Sequence, residues 1–265
     1  MNKLENFPPV HYISVDYCTD RREKLHEKFA KFGITNITGH IFEKYDDQKH
    51  HIESDYLDRL SWGSKGPVTS HLKAIREWYE TTKESYAFFC EDDLSFDLVQ
   101  YWNFTWNDFY NHLPLDWEII QLSWLREYSS LDYFHVGLRS RCWCDWSGCA
   151  YLIKRDFAKK LIDAYYPDDT FYLNVKGNDV HLREEWALIP VIETIIFSPL
   201  GKVYGAPLFT EDLSFLPSYV NPNTEEGKMQ EVSYPHFDSY QKNIDWWKNV
   251  GCNQTMEQFI EKSIY

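Results

Sequence analysis

From its amino end, the chain alternates short apolar runs with segments of helical period. His11-Tyr12-Ile13-Ser14-Val15 has the length and character of a buried strand. Behind it, Thr19 is placed to cap a helix whose first turn holds Asp20. Leu25, Phe29 and Phe32 fall on one face of that helix, and Gly33 stops it. Gly66-Pro67 predicts the start of a second helix, with proline at its first position and Val68, Leu72, Ile75 and Tyr79 facing a core. Ser85 to Cys90, Trp117 to Ser123 and Gly148 to Ile153 read as further strands. After the last of these, Asp156 is placed to cap a helix through Phe157, Leu161 and Ile162.

Alternation of this kind predicts an α/β fold with a mostly parallel central sheet and helices on both faces. Beyond about Pro199 the pattern weakens into Pro-, Asn- and Tyr-containing loops before an aromatic helix near Ile244-Asp245-Trp246-Trp247. The expectation is a core over residues 1–200 with a segment over 201–265 packed on it, a single domain overall.

Composition narrows the function classes. The chain has 265 residues, 43% of them apolar, enough to bury a core without disulfides. Six cysteines are sparse for a disulfide scaffold, and Cys142, Cys144 and Cys149 lack the paired spacing of a zinc site, so buried thiols are expected. A net charge of −14 argues against a nucleic-acid backbone as partner. No stretch approaches the ~20 apolar residues of a membrane span. The opening Met1-Asn2-Lys3-Leu4-Glu5 has no apolar signal core, so the expected location is the cytoplasm. The acceptor patterns at Asn36, Asn103 and Asn253 then carry little meaning. Aromatic residues make up 18% of the chain, which leans toward carbohydrate, although an aromatic core accounts for any single ring.

The candidate chemistry lies at Glu91-Asp92-Asp93, which follows an apolar strand directly. Ligands of open α/β sheets bind beyond the carboxyl ends of the strands. In an extended segment Glu91 and Asp93 project to one side and Asp92 to the other. Two carboxylates ~4 Å apart repel by about 4 kcal/mol at an effective dielectric of ~20, and a hard divalent ion with oxygen ligands relieves that. A solvated acidic turn is the plain alternative.

The run Gly66-Pro67-Val68-Thr69-Ser70-His71-Leu72-Lys73-Ala74-Ile75, followed by Ala87-Phe88-Phe89-Cys90-Glu91-Asp92-Asp93, resembles glycosyltransferase family 25. That family includes the lipooligosaccharide and procollagen galactosyltransferases. Tyr12-Ile13-Ser14-Val15-Asp16 with Asp20-Arg21-Arg22 is similar to its opening strand and Asp-Arg-Arg turn. Gly148-Cys149-Ala150-Tyr151-Leu152-Ile153-Lys154-Arg155 is similar to its later Gly-x-x-Tyr strand, and the resemblance spans about residues 10–200. Ser14-Val15 stands where the family has Asn-Leu, and Trp117-Glu118 where it has Trp-Asp.

The resemblance implies a GT-A type, Rossmann-like fold and a hexosyltransferase that uses a UDP-sugar and Mn²⁺ or Mg²⁺ and inverts the anomeric carbon. It places Val15, Asp16, Arg21, Arg22, Ser70, His71 and Asp92 around the nucleotide-sugar and Glu91 and Asp93 on the cation, with His236 or His181 as a further ligand. The base that activates the acceptor hydroxyl is expected at Asp179, with Glu184 and Glu185 as rivals. His50-His51 reads as solvent-exposed. The acceptor, a glycan or protein hydroxyl, and the choice of galactose or glucose stay open. Two other classes remain: a catalytically silent carbohydrate-binding protein on the same scaffold, and a metal-dependent phosphoesterase.

Overall fold

A computed structural model of the chain describes residues 2–43, 51–55, 62–125, 136–142, 145–175, 190–215 and 226–261, with side chains described outside 62–64, 226–236 and 261. The elements in chain order are β1 (Val10–Val15), α1 (Thr19–Phe32), β2 (Ile37–Phe42), β3 (His51–Glu53), α2 (Trp62–Thr81), β4 (Tyr86–Glu91) and β5 (Leu94–Ser95). They continue with α3 (Trp106–Asn111), β6 (Ile119–Ser123), β7 (Arg139–Ser140), β8 (Ala150–Lys154), α4 (Arg155–Tyr165), β9 (Thr170–Tyr172), α5 (Ile192–Ile195), β10 (Val203–Glu211), α6 (Glu226–Asn249) and α7 (Met256–Glu261).

The main sheet has the order β2-β1-β4-β8-β6-β10-β5, with β7 also on β10. β1 is parallel to β2 and β4, and β10 is parallel to β6, whereas β8 runs antiparallel between β4 and β6. β2, β1, β4, β6 and β10 therefore share one direction and end at one edge, where β8 begins. The fold is mixed α/β with a mostly parallel sheet, as the alternation predicts. β3 and β9 form a separate parallel pair, so His51, expected in an exposed loop, is exposed but in a strand.

The period of two in each strand feeds two cores. Phe88 and Cys90 of β4 enter one, with Leu25 and Phe29 of α1, Trp106 and Phe109 of α3, Ile244 and Trp247 of α6 and Phe259 of α7. Ala87 and Phe89 enter the other, with Val68, Leu72, Ile75 and Trp78 of α2, Phe157 and Leu161 of α4 and Ile192 and Ile195 of α5. The aromatic content is thus largely core: Trp78, Trp102, Trp106 and Trp247 are among the largest fully buried side chains. Of the cysteines, Cys18, Cys90 and Cys149 are buried free thiols. Among the described residues no helix is long and apolar enough to cross a membrane.

Several sequence expectations need correction. Thr19 and Asp156 are helical residues rather than caps; the capping positions are Cys18 and Lys154, and neither side chain makes a capping hydrogen bond. α1 does stop at Gly33, whose φ of 71° is left-handed backbone that glycine adopts without strain. Pro67 lies inside α2 instead of opening it. A proline inside a helix forfeits the bond its missing N–H would make and crowds the carbonyl four residues back, yet here the helix runs on from Trp62. The largest correction concerns the segment after Pro199. It holds β10, nine residues integral to the sheet, so the sheet itself crosses the expected boundary at residue 200. Gly205 and Pro207 made this stretch read as loop. The register of β10 on β6 shifts between Gly205 and Phe209, an irregularity that accommodates a residue unable to donate to the ladder.

Candidate functional site

The shared carboxyl edge gathers most of the candidate residues. Glu91 is the last residue of β4 and points to the α2 side, where its Oε1 lies 3.3 Å from Nε2 of the buried His71. The backbone then turns, so strand periodicity ends. Asp92 is buried on the α1 side and accepts from Ser14 Oγ at 2.6 Å and Arg21 Nη1 at 2.9 Å. Asp93 accepts from Nη2 of the same arginine at 3.0 Å, and the Cys149 thiol lies 3.6 Å from its other oxygen. Arg21 thus forks across two successive carboxylates. Asp92 does not point away from Asp93, as strict strand alternation predicts, because the turn begins at Asp92 and both meet Arg21; the Glu91 charge still acts on Asp93.

The opening strand meets this group directly. Arg22 donates from Nη1 to Ser14 Oγ at 3.2 Å and to the Val15 carbonyl, and from Nη2 to the Asp16 carbonyl at 2.8 Å. It therefore ties off the end of β1. The Asp16 side chain accepts from the Tyr17 N–H at 2.8 Å and caps its own turn. Ser70 is half-buried on α2 beside His71. Ser14, Val15, Asp16, Arg21, Arg22, Asp92 and Asp93 thus come together, as do His71 and Glu91. Asp179, His181, Glu184 and Glu185 lie outside the described residues. His236 falls within α6, and its side chain is outside them too.

Three residues that the sequence reading passed over line the same edge. Ser147, just before β8, has φ of 97°, a rare and strained conformation for a residue with a side chain. Its N–H donates to Glu193 Oε1 at 2.8 Å and its hydroxyl to Glu211 Oε1 at 3.0 Å, with Ser123 Oγ 2.9 Å away. Gln121 holds the preceding loop by donating to the carbonyls of Asp145, Trp146 and Ser147. Gly148 follows where a Cβ would lie 2.6 Å from Ile192 Cγ2 and 3.4 Å from Glu91 Oε1, so only glycine lets the chain pass between α5 and Glu91. Ser147 is thus the strut that holds Glu193 and Glu211 beside the acidic turn.

The electrostatics are those of crowded carboxylates. Burial, then the Glu91 charge, push Asp93 up to about 8, with Glu211 and Asp92 adding to the rise and Arg21 opposing it. Burial also raises Asp92 against the pull of Arg21 and the Ser14 hydrogen bond. Glu193 is raised by burial against hydrogen bonds that favour its ionised form, the Ser147 N–H first. For Arg21, burial works against the charge, but Asp93 and Asp92 outweigh it and hold the guanidinium above its ordinary value.

Among the described residues no three His, Cys, Asp or Glu side chains gather closely enough to cage an ion. A hard divalent cation does not require such a cage, because Mg²⁺-like ions use one or two carboxylates and take the rest of their shell from water and phosphate. Asp93, half-buried and destabilised as an anion by its neighbours, suits that role with Glu91. No protein-family model matches the chain, and no curated protein matches it. The functional reading therefore rests on the geometry and chemistry of this edge.

Proposed function

We propose that the protein is a GT-A type glycosyltransferase that transfers galactose or glucose from a UDP-sugar to an acceptor hydroxyl with the help of Mn²⁺ or Mg²⁺. The observation that carries this reading is the cluster of carboxylates at the carboxyl edge, with Glu91, Asp93, Glu193 and Glu211 around a single strand-end turn. The position supports it as well, since ligands of open α/β sheets sit beyond the carboxyl ends of their strands.

Glu91 and Asp93 would hold the cation, which when bound stabilises the negative charge that develops on the leaving diphosphate. The protein's own residues set up the rest. Arg21 holds Asp92 and Asp93 in one orientation, Ser14 fixes Asp92 from below, and Arg22 locks the end of β1 along the proposed nucleotide side. In the transfer, the acceptor oxygen bonds to the anomeric carbon as the bond from that carbon to the diphosphate oxygen breaks. The electron pair leaves with UDP, and the hydroxyl proton passes to a carboxylate. Asp179 and Glu184 are the proposed bases. Glu211, held by Ser147 beside the acidic turn, joins them.

The test is release of UDP from UDP-galactose and UDP-glucose, with and without Mn²⁺, by wild type and Asp93→Asn. The reading expects Mn²⁺-dependent release that Asp93→Asn lowers at least a hundredfold while the circular dichroism stays unchanged. Near-normal release by the variant would remove the cation from Asp93. Glycan binding with no UDP-sugar turnover would favour a silent carbohydrate-binding scaffold instead.

A further inference from the structure

Three separate sequence features converge on one buried chain of hydrogen bonds: the Ser-His of α2, the glutamate that ends β4 and the Gly-x-x-Tyr of β8. The Tyr151 hydroxyl lies 3.0 Å from Nδ1 of His71, and Nε2 of the same ring lies 3.3 Å from Glu91 Oε1. Tyr151 is fully buried and His71 is 1% exposed, so water does not compete for either group. The Tyr151 ring is held by parallel stacking on Phe89 (centroids 5.5 Å apart, 7° between planes) and by the edge of Phe197 at 5.7 Å. Pairing of Phe89 with Tyr151 across β4 and β8 sets its height along the strand, and Gly148 admits the chain to that position.

The polarity of this chain follows from the groups. An ionised carboxylate only accepts, so the nitrogen facing Glu91 must carry the proton. In a neutral imidazole the other nitrogen is then an acceptor, and the group facing it must donate. Tyr151 is able to donate, since burial, then the Glu91 charge, keep its phenol protonated well above the ordinary range. The reverse polarity would aim a nitrogen lone pair at a carboxylate.

We infer that Tyr151 is a positioning residue: its O–H donates to Nδ1 of His71, which fixes the Nε2–H tautomer and aims that N–H at the Glu91 carboxylate. Outer hydrogen-bond partners of this kind orient ligand groups around metals, and their loss typically costs about 10- to 100-fold in metal affinity. The link to affinity rests on the proposed role of Glu91 in holding the cation; the tautomer does not.

The experiment uses ¹⁵N-histidine-labelled full-length protein, wild type and Tyr151→Phe, with His71→Gln serving to assign the ring. Long-range ¹H–¹⁵N spectra should show His71 protonated at Nε2 and unprotonated at Nδ1 in wild type, and a mixture of tautomers in Tyr151→Phe. Mn²⁺ titrated into each protein with UDP present should bind the variant at least tenfold more weakly. A wild-type ring protonated at Nδ1, alone or together with Nε2, overturns the inference, whether or not the variant folds. A ring that stays protonated at Nε2 alone in a folded Tyr151→Phe overturns it also, and equal Mn²⁺ affinity there removes Glu91 from the cation. Wild-type protein that binds no Mn²⁺ brings down the reading of the site instead, and the tautomer then still decides on the chain.

Discussion

Two buried polar groups on this sheet are solved in opposite ways. Toward the start of β1, His11 Nδ1 lies 2.9 Å from His40 Nε2, and His40 Nδ1 lies 2.9 Å from Glu77 Oε2. The pair stacks on Phe89, and Glu84, 3.5 Å from His11, also takes the Trp78 indole N–H at 2.8 Å. Carboxylates face both ends of this chain, Glu84 at His11 Nε2 and Glu77 at His40 Nδ1, so each outer ring nitrogen has an acceptor beside it. At the carboxyl edge, by contrast, Glu91, Asp92, Asp93 and Glu211 crowd together with Arg21 between two of them, and Asp93 is pushed up to about 8. The histidine group packs its rings against Phe89 and Trp78, whereas the strand-end group gathers several carboxylates around Arg21. That difference marks the strand end as the candidate site, because strongly perturbed carboxyl groups concentrate where ligands bind.

The strongest way to break this comparison is to neutralise the strand-end group. Asp93→Asn should abolish Mn²⁺-dependent turnover, at least a hundredfold, without a loss of stability near neutral pH. The folded protein keeps the Asp93 proton up to about pH 8, whereas the unfolded chain releases it near the ordinary 3.8. The native state therefore binds more protons between those values, and stability falls as pH rises through that window by at most about 1.4 kcal/mol per unit. In Asp93→Asn that slope should vanish. Thermal melts from pH 5 to 9 read it directly, and parallel slopes in both proteins would contradict the burial of a carboxyl here.

The histidine group has the opposite sign. Burial, then His40, lower His11 from an ordinary 6.5 to about 4, with Glu77 opposing. The unfolded chain takes up that proton near 6.5 and the folded protein only near 4, so stability falls as pH drops through this window and levels off below it. The loss is on the order of 3 kcal/mol. His40, Glu77 and Glu84 are the titratable groups that face the ring. His11→Phe should flatten this acid limb while leaving UDP-sugar binding unchanged. Chemical denaturation at pH 6.5 and pH 4.5 measures it, and a steep limb in the variant would place the acid sensitivity elsewhere.

A smaller effect sharpens the contrast further. Mn²⁺ at a hundredfold its dissociation constant stabilises a folded state by about 2.7 kcal/mol. Because the ion competes with the Asp93 proton, its upward shift of the melting temperature should be larger at pH 8 than at pH 6. A shift independent of pH would mean that Mn²⁺ binds away from Asp93.

Much of this was readable before any coordinates. Strands β1, β4, β6 and β8, the stop at Gly33 and the acidic triplet at a strand end follow from apolar runs and turn chemistry alone. The antiparallel insertion of β8 does not, because pairing direction leaves no periodic trace. β10 was hidden by Gly205 and Pro207, and with it Glu211, whose place at the edge depends on belonging to the sheet. Ser147 was hidden for another reason: a positive φ normally announces itself as glycine, and here a hydroxyl bonded to Glu211 and Ser123 holds a strained residue in place. The meeting of Asp92 and Asp93 on Arg21 hangs on where the strand ends, and such boundaries are hard to read from a sequence.

The central claim is that the carboxyl edge takes a UDP-sugar together with a divalent cation. Isothermal titration of UDP-galactose and UDP-glucose into the full-length protein, with Mn²⁺ and again with EDTA, tests it most directly. Binding of at least one donor in Mn²⁺ that disappears in EDTA and in Asp93→Asn is the predicted result. No heat from either donor in the presence of Mn²⁺, from protein shown to be folded, would contradict it.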